Sequence, residues 1–291
     1  MTLDQLRIFL EVARVEHVTR ASGRLGLTQS TISAAIRALE DRHGVELFER
    51  RGRNIHLTEA GRLFLPEAEG VLAAARSAQQ MLDDLSAGHR GKLLICSSQT
   101  IASQWLPARM VAFRRAHPKV TVELEVGNTE HCLAALRAGR CDLAFVEAEL
   151  TEPDLEIRVV ARDRLTLLVG APHPWRASPP KEVAGLRETG WVLRETGSGT
   201  LSTFEAALAR QGLSLGDLDV VMTLPTNEAI CAALQDQPLA SVLSLAVAEP
   251  YIAAGRLFEL PFMLPERPFS CLSHPLRRKG KLVKSFETYL N

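Results

Sequence analysis

Two short hydroxyl-rich loops carry the residues best suited to hold a small ligand. Ser97-Ser98-Gln99-Thr100 follows an apolar run and precedes a helical stretch. Thr196-Gly197-Ser198-Gly199-Thr200 follows the apolar run at Trp191 and also precedes one. Each loop is expected to present hydroxyls and backbone N–H groups at a helix N-terminus. There the first N–H groups lack intrahelical partners and the helix dipole favours negative charge. The chemistry implied is recognition of a small anion between two facing cups, with plain N-capping as the alternative for either loop alone. Gly127-Asn128-Thr129-Glu130 and Pro225-Thr226-Asn227-Glu228 are further strand-to-helix loops, and they add Asn128, Thr129, Thr226 and Asn227 as second-rank candidates. Glu147, at a strand end, either points into the cleft or is a satisfied or solvated carboxylate.

A second set of residues suits a larger anion. Every basic residue before Lys92 is an arginine, and they concentrate at Arg20, Arg24, Arg37, Arg42, Arg50, Arg51, Arg53 and Arg62. The planar guanidinium fork binds phosphate oxygens bidentately. Catalytic patterns are missing: Gly197-Ser198-Gly199 is too short for a nucleophile elbow, and no H-E-x-x-H, P-loop or G-x-G-x-x-G occurs. The eight histidines show no metal-ligand spacing. An enzyme is not expected, nor is a metal site or a bound cofactor beyond a small effector.

The elements that must position these residues fall into two regions. Leu3, Leu6, Phe9, Leu10 and Ala13 recur at helical steps. Thr19 is expected to cap a second helix that Gly26 stops. Thr28 is expected to cap a third, with Ile32, Ile36 and Leu39 inward and Gln29, Ser30, Thr31, Ser33 and Arg37 outward. Two helices joined by a short Gly-containing turn form a helix-turn-helix, which lays its second helix in a major groove. The run from Val45 to Thr58 reads as a β-hairpin wing offering Arg50, Arg51 and Arg53 to a phosphate backbone. From Thr58 to about Leu85 the apolar positions Phe64, Ala68, Val71, Ala75, Ala78, Leu82 and Leu85 follow a heptad. That predicts a dimerisation helix, with packing on its own domain as the alternative. From Lys92 onward, strands alternate with helices, predicting a parallel α/β sheet. Segments near Ala161 and at Pro265 to Pro268 are expected to hinge two lobes, with a ligand between them at the strand ends.

Composition agrees with this division. At roughly 150 residues per domain, 291 residues make about two domains. A chain 46% hydrophobic and 23% charged is cored rather than disordered. No apolar run approaches the roughly 20 residues of a membrane span. The N-terminus lacks a signal-peptide pattern, so a cytoplasmic location and no membrane partner are expected. The 34 Lys+Arg balance 34 Asp+Glu, which argues against polyanion binding by the whole surface but not by a local patch. Cys96, Cys132, Cys141, Cys231 and Cys271 form no C-x-x-C pair. They read as reduced buried thiols, with a redox switch or metal site as alternatives.

The stretch from Thr19 to Gly61, TRASGRLGLTQSTISAAIRALEDRHGVELFERRGRNIHLTEAG, closely resembles the winged helix-turn-helix of LysR-type transcriptional regulators, and the length and downstream order extend the resemblance over the whole chain. Where many members carry a polar pair, this chain has Ala34-Ala35, whose methyl groups suit thymine methyls. The SSQT, GNTE and ETGSGT strings resemble a subgroup that includes regulators of sulfur assimilation and carbon fixation. That subgroup's usual proline before GSGT is Thr196 here, and its glycine-rich turn before the last cleft helix reads Gln235-Asp236-Gln237-Pro238-Leu239.

The resemblance implies an all-α-type winged helix-turn-helix over 1–58, a dimerisation helix and hinge over 59–91, and an α/β effector domain over 92–291. That last domain is similar to two-lobed periplasmic binding proteins, with lobe I at 92–161 and 268–291 and lobe II at 162–267. It also implies double-stranded DNA with a pseudo-palindromic operator as partner, RNA polymerase as a further one, and self-assembly as a dimer or homotetramer. The implied effector is a sulfite- or sulfate-like oxyanion, a carboxylate or a phosphorylated metabolite.

Overall fold

The computed structural model describes residues 1–51, 54–85, 91–180, 182–275, 277 and 279–290; of residues 51, 80 and 83–85 it describes the backbone. The chain divides into two compact units. One is Met1–Ala87 with Ala138–Arg140, and the other is Gly88–Arg137 with Cys141–Asn291.

In the N-terminal unit, α1 (Leu3–Val15) starts from a reciprocal capping box between Thr2 and Gln5. α2 (Val18–Leu25) ends at Gly26, whose φ of 65° is left-handed, and α3 (Gln29–His43) ends at Gly44 with φ 63°. Thr28 caps α3 by accepting the Thr31 N–H. Thr19 does not cap α2. It lies inside that helix and is exposed, and His17 holds the cap position without a side-chain bond. Leu6, Phe9, Val12, Ala21, Ile32, Ile36 and Leu39 form the core, where the Phe9 ring sits 5.3 Å from Phe48 and 5.1 Å from Phe64.

The strands β1 (Phe48–Arg51) and β2 (Asn54–Leu57) pair antiparallel, Phe48 opposite Leu57 and Arg51 opposite Asn54. Thr58 then starts α4 (Glu59–Leu85): its hydroxyl donates to Glu46 O and accepts the Gly61 N–H at 3.0 Å. The heptad on α4 divides. Ala68 and Phe64 join the unit's own core, whereas Val71, Ala78 and Leu82 are exposed.

The C-terminal unit begins with β3 (Gly91–Ser98), α5 (Gln99–Gln104), α6 (Leu106–Ala116), β4 (Val120–Gly127), α7 (Thr129–Arg137) and β5 (Leu143–Glu147). β3 pairs parallel with both β4 and β5, as the alternation of elements requires. The helix expected over 101–116 is broken at Trp105 because Pro107 has no N–H to give. The chain restarts with that proline in the first turn of α6.

Then come β6 (Glu156–Gly170), β7 (Gly190–Arg194), α8 (Gly199–Ala209), β8 (Asp219–Leu224), α9 (Asn227–Leu234), β9 (Leu239–Ser244), α10 (Leu245–Ala253), β10 (Leu257–Leu260), β11 (Glu266–Ser273) and α11 (Lys281–Glu287). Among the described residues the strand order is β4-β3-β5-β11-β6-β9-β7-β8, with β10 on β6. The two segments expected to join the lobes run as strands, β6 through Ala161 and β11 from Glu266. β6 and β11 run antiparallel through both halves of the sheet, with a bulge where Ala161 faces Phe269 and Val159 faces Ser270. The bulge is the local irregularity at the crossover. The two halves have separate cores: one around Leu93, Phe113, Phe145 and Phe286, the other around Leu167, Trp191, Phe204 and Val242.

Candidate functional site

The carboxyl ends of β3 and β5 meet the N-terminus of α8, and the residues there form a buried polar chain. The Ser98 hydroxyl donates to Glu147 Oε2, and Glu147 is only 2% exposed. Its other oxygen lies 3.9 Å from Arg267 Nη1. Arg267 is fully buried. It donates from Nε to Asp163 Oδ2 at 2.8 Å and from Nη1 to Thr200 Oγ1 at 2.9 Å. Asp163 Oδ1 accepts the Ser244 hydroxyl at 2.6 Å. Two residues expected from the loops, Ser98 and Thr200, and Glu147 at its strand end are thus joined through two that the sequence did not single out, Asp163 and Arg267. Their signal was present: Asp163 and Arg267 are cross-strand partners in β6 and β11. Opposite charges in register across two strands are a sheet pair, but a register between segments about 100 residues apart is not a local signal.

A second network ties the two halves together. Gln99 Nε2 donates to Pro225 O at 2.8 Å while its Oε1 accepts the Asn227 N–H at 3.1 Å. Asn227 Nδ2 donates to Thr100 Oγ1, and Asn227 Oδ1 accepts from Arg194 Nη1 at 2.6 Å. Arg194, also buried and also missed, grips Glu195 with Nε and Nη2. Asn128 Oδ1 caps α7 through the His131 N–H, and its Nδ2 donates to Glu195 Oε1 and Thr196 O. Gln99, Asn128 and Asn227 are therefore bonded between the two halves. Thr226 is a plain cap, accepting the Ala229 N–H, and Ser97 donates to Ser98 O. Thr196 is exposed, and Ser198 is a buried cap residue without a side-chain cap bond.

The two cups are unequal. The first leads into α5, a helix of six residues, and the second into α8, of eleven. Pro107 cuts the first helix short, so the longer run of aligned peptide dipoles stands behind the second cup. Two buried polar atoms at the centre have no hydrogen-bond partner: Thr129 Oγ1 and Arg267 Nη2. Nη2 lies 2.7 Å from Asp163 Oδ2, an ion pair without hydrogen-bond geometry.

Burial pushes the Glu147 carboxyl above its ordinary range; Arg267 opposes the shift and Asp163 adds to it. A raised folded value means the folded protein holds the Glu147 proton more tightly than the unfolded chain does. This contribution to stability is complete below the ordinary carboxylate value and is lost as pH rises through the folded value. Glu147→Gln is therefore expected to raise the melting temperature at pH above the ordinary carboxylate range and to flatten its fall as pH rises from there. Differential scanning calorimetry across that range checks both. An unchanged pH profile would mean that Glu147 is ionised in the fold.

On the N-terminal unit, Thr28, Gln29, Ser30, Thr31 and Arg37 are exposed and Ser33 is half-buried, so α3 turns this face to solvent. Thr28 Oγ1 lies 2.8 Å from both Ser30 Oγ and Thr31 Oγ1, a cluster that holds the start of the helix. Ala34 is exposed on the same helix, and Arg50 is exposed on β1. The Arg51 side chain and all of Arg53 lie outside the described residues.

The pattern of the bacterial regulatory helix-turn-helix proteins of the lysR family matches residues 3–62, and that of the LysR substrate binding domain matches residues 86–291. The chain belongs to the LysR family. LysR regulators are DNA-binding transcriptional regulators with a domain for small-molecule effectors; they are not enzymes. Among relatives, the chain is 33% identical to the HTH-type transcriptional regulator YeiE of Escherichia coli K12, over 99% of this chain and 97% of that one. It is 30% identical to a RuBisCO operon transcriptional regulator of Allochromatium vinosum, over 89% and 85%. The latter belongs with the carbon-fixation regulators that the LysR loop strings resembled. The crystal structure of CbnR, a LysR family regulator, superposes with a TM-score of 0.69 at 22% identity, covering 100% of this chain and 98% of that one. No helix among the described residues is long and apolar enough to cross a membrane.

Proposed function

We propose that this LysR regulator binds a small oxyanion or carboxylate against Arg267, between Ser98, Thr100 and Glu147 on one side and Thr129, Ser198, Gly199 and Thr200 on the other. The observation that carries the reading is the fully buried Arg267 guanidinium, paired with Asp163 and reaching Thr200 through Nη1, together with the buried Thr129 hydroxyl beside Gly199, which has no hydrogen-bond partner. A buried polar group without a partner costs free energy, and a bound oxyanion supplies acceptors for it. Glu147 supports the same reading: burial favours its neutral form, which does not repel an anion and can donate to one. The tight seat of α8 on β5 favours a compact anion over a phosphorylated metabolite.

On the DNA side, Thr19, Thr28, Gln29, Ser30, Thr31, Ser33 and Arg37 face one half-site of a pseudo-palindromic operator, and Arg50, Arg51 and Arg53 reach the flanking phosphates. The exposed Val71, Ala78 and Leu82 of α4 pair two chains, and two such dimers make the tetramer. Domain limits at 58 and 91, and lobes meeting at 161 and 268, fit this division. The effector shifts operator geometry only by as much as it prefers one assembly state over the other. RNA polymerase is the partner through which an activator would act, and the cytoplasm is where the DNA is met.

The test is a footprint on the DNA flanking the protein's own gene, titrated with salt, with and without sulfite, sulfate and a simple carboxylate. The reading expects protection at paired half-sites that changes in extent or position with at least one of these anions. Protection indifferent to all of them overturns the anion assignment. Uniform protection without preferred sites overturns the operator reading.

A further inference from the structure

A cluster of three thiols lies beside the cleft without taking part in it. Cys96 is on β3, immediately before Ser97 and Ser98; Cys132 is on α7, three residues after Thr129; Cys141 stands just before β5. All three are buried in one apolar cluster with Leu133, Leu136, Val146 and Leu272. The sulfurs of Cys96 and Cys132 are 3.2 Å apart. A disulfide needs about 2.05 Å between sulfurs, so roughly 1.2 Å of approach remains, within reach of small side-chain rotations. The residues are 36 positions apart in sequence, and the packing of α7 on β3 brings them together. Among the described residues no group of three or more His, Cys, Asp or Glu is arranged to hold a metal ion.

We propose that Cys96 and Cys132 form a reversible disulfide within one chain when the protein meets a peroxide. The Cys96 sulfur attacks one peroxide oxygen, breaking the O–O bond, giving a sulfenic acid and releasing water. The Cys132 sulfur then attacks the sulfenic sulfur; the departing hydroxide takes the Cys132 proton and leaves as a second water. Two thiols lose two electrons and two protons, and one hydrogen peroxide becomes two waters.

The local environment gives the two sulfurs different roles. The bonds that Cys96 makes with Cys132 and Cys141 hold its thiol below the ordinary range in spite of burial, and its place between two thiol neighbours suits it to attack first. The Cys132 thiol is pushed up, first by its bond to Cys96 and then by burial, which suits the resolving partner. Cys231 and Cys271 lack this help: burial pushes each up to about 12, so they serve as internal controls. Peroxide is small and uncharged, the class of oxidant that enters a buried site through local opening. The bond would tie the end of β3 to the first turn of α7, the two elements that carry Ser98 and Thr129.

The experiment treats the folded full-length protein with a modest excess of hydrogen peroxide, blocks remaining thiols by alkylation, and maps cysteines by mass spectrometry without reduction. The expected result is a Cys96–Cys132 linked peptide that dithiothreitol reverses, formed at least about tenfold faster than any change at Cys231 or Cys271. In Cys132→Ala, Cys96 is expected to stop as a sulfenic acid that dimedone traps. This keeps the test decisive if Cys96→Ala does not fold. Retention of all five thiols, a link through any other cysteine, or irreversible sulfinic acid at Cys96 in the wild-type protein overturns the proposal.

Discussion

Replacing Arg267 with alanine is expected to destabilise the C-terminal unit by about 3–5 kcal/mol, one of the two largest effects of any single substitution considered for this chain. The cause is not the loss of the arginine's own bonds. Asp163 and Arg267 are cross-strand partners at the centre of the sheet, 7% and 0% exposed. Removing the cation leaves the Asp163 carboxylate, accepting only from Ser244, with no counter-charge in a dry interior. Removing both charges is a different matter. Asp163→Leu with Arg267→Met replaces a buried ion pair by apolar volume, which is often close to neutral for stability. The double variant is therefore expected to recover most of the loss. The three tryptophans, Trp105, Trp175 and Trp191, all lie in this unit, so tryptophan fluorescence during urea unfolding follows its transition alone. If the two single variants and the double variant are equally unstable, the ion pair is not what the fold depends on here. The double variant also separates fold from function: on the proposed reading it folds but no longer responds to an anion.

The second large effect is expected from Gly199→Ala. Gly199 opens α8, and a Cβ there would lie 1.9 Å from the Glu147 carbonyl oxygen and 2.8 Å from Thr129 Oγ1. The nearer atom is backbone at the end of β5, so no side-chain rotation relieves the clash; α8 must move off β5. Overpacking of this kind costs roughly 1–3 kcal/mol. The displacement also separates Thr200 from Ser98 and Glu147, the two sides of the proposed anion site. Operator binding without effector is expected to stay near wild type, because α3 belongs to the other unit, while the anion response is lost. A Gly199→Ala protein that responds to anions like the wild type would show that closure at this point is not needed for recognition.

How far the sequence could be read depended on whether a signal was local. Helix starts and stops were local. Thr28 and Thr58 cap α3 and α4, and Gly26 and Gly44 adopt the left-handed cap geometry that a glycine after an apolar stripe implies. Thr19 failed in the same category because His17, with no cap bond of its own, already stands where the chain turns. The cup loops were legible as strand-to-helix junctions, but which of their side chains remained free was not. Gln99, Asn128 and Asn227 are consumed in bonds between halves of the sheet, across up to 128 residues of sequence. Arg194, Asp163 and Arg267 were missed for one reason: a charge in a strand reads as a surface residue until its partner strand is known. The turn before β9 shows the reverse. Asp236 takes the left-handed φ of 56° where a glycine-rich turn was usual, so the backbone shape survives a change of residue.

The exposed face of α3 is expected to contact operator DNA. The direct measurement is the salt dependence of operator affinity for the wild-type protein and for Arg37→Ala. Each phosphate contact removed lowers the slope of log affinity against log salt by about 0.9. The account expects Arg37→Ala to weaken binding and to reduce the slope by about that amount for every bound chain whose Arg37 meets a phosphate. Weaker binding with the slope unchanged would show that Arg37 does not touch the phosphate backbone. Affinity and slope both unchanged would contradict the placement of α3 on DNA.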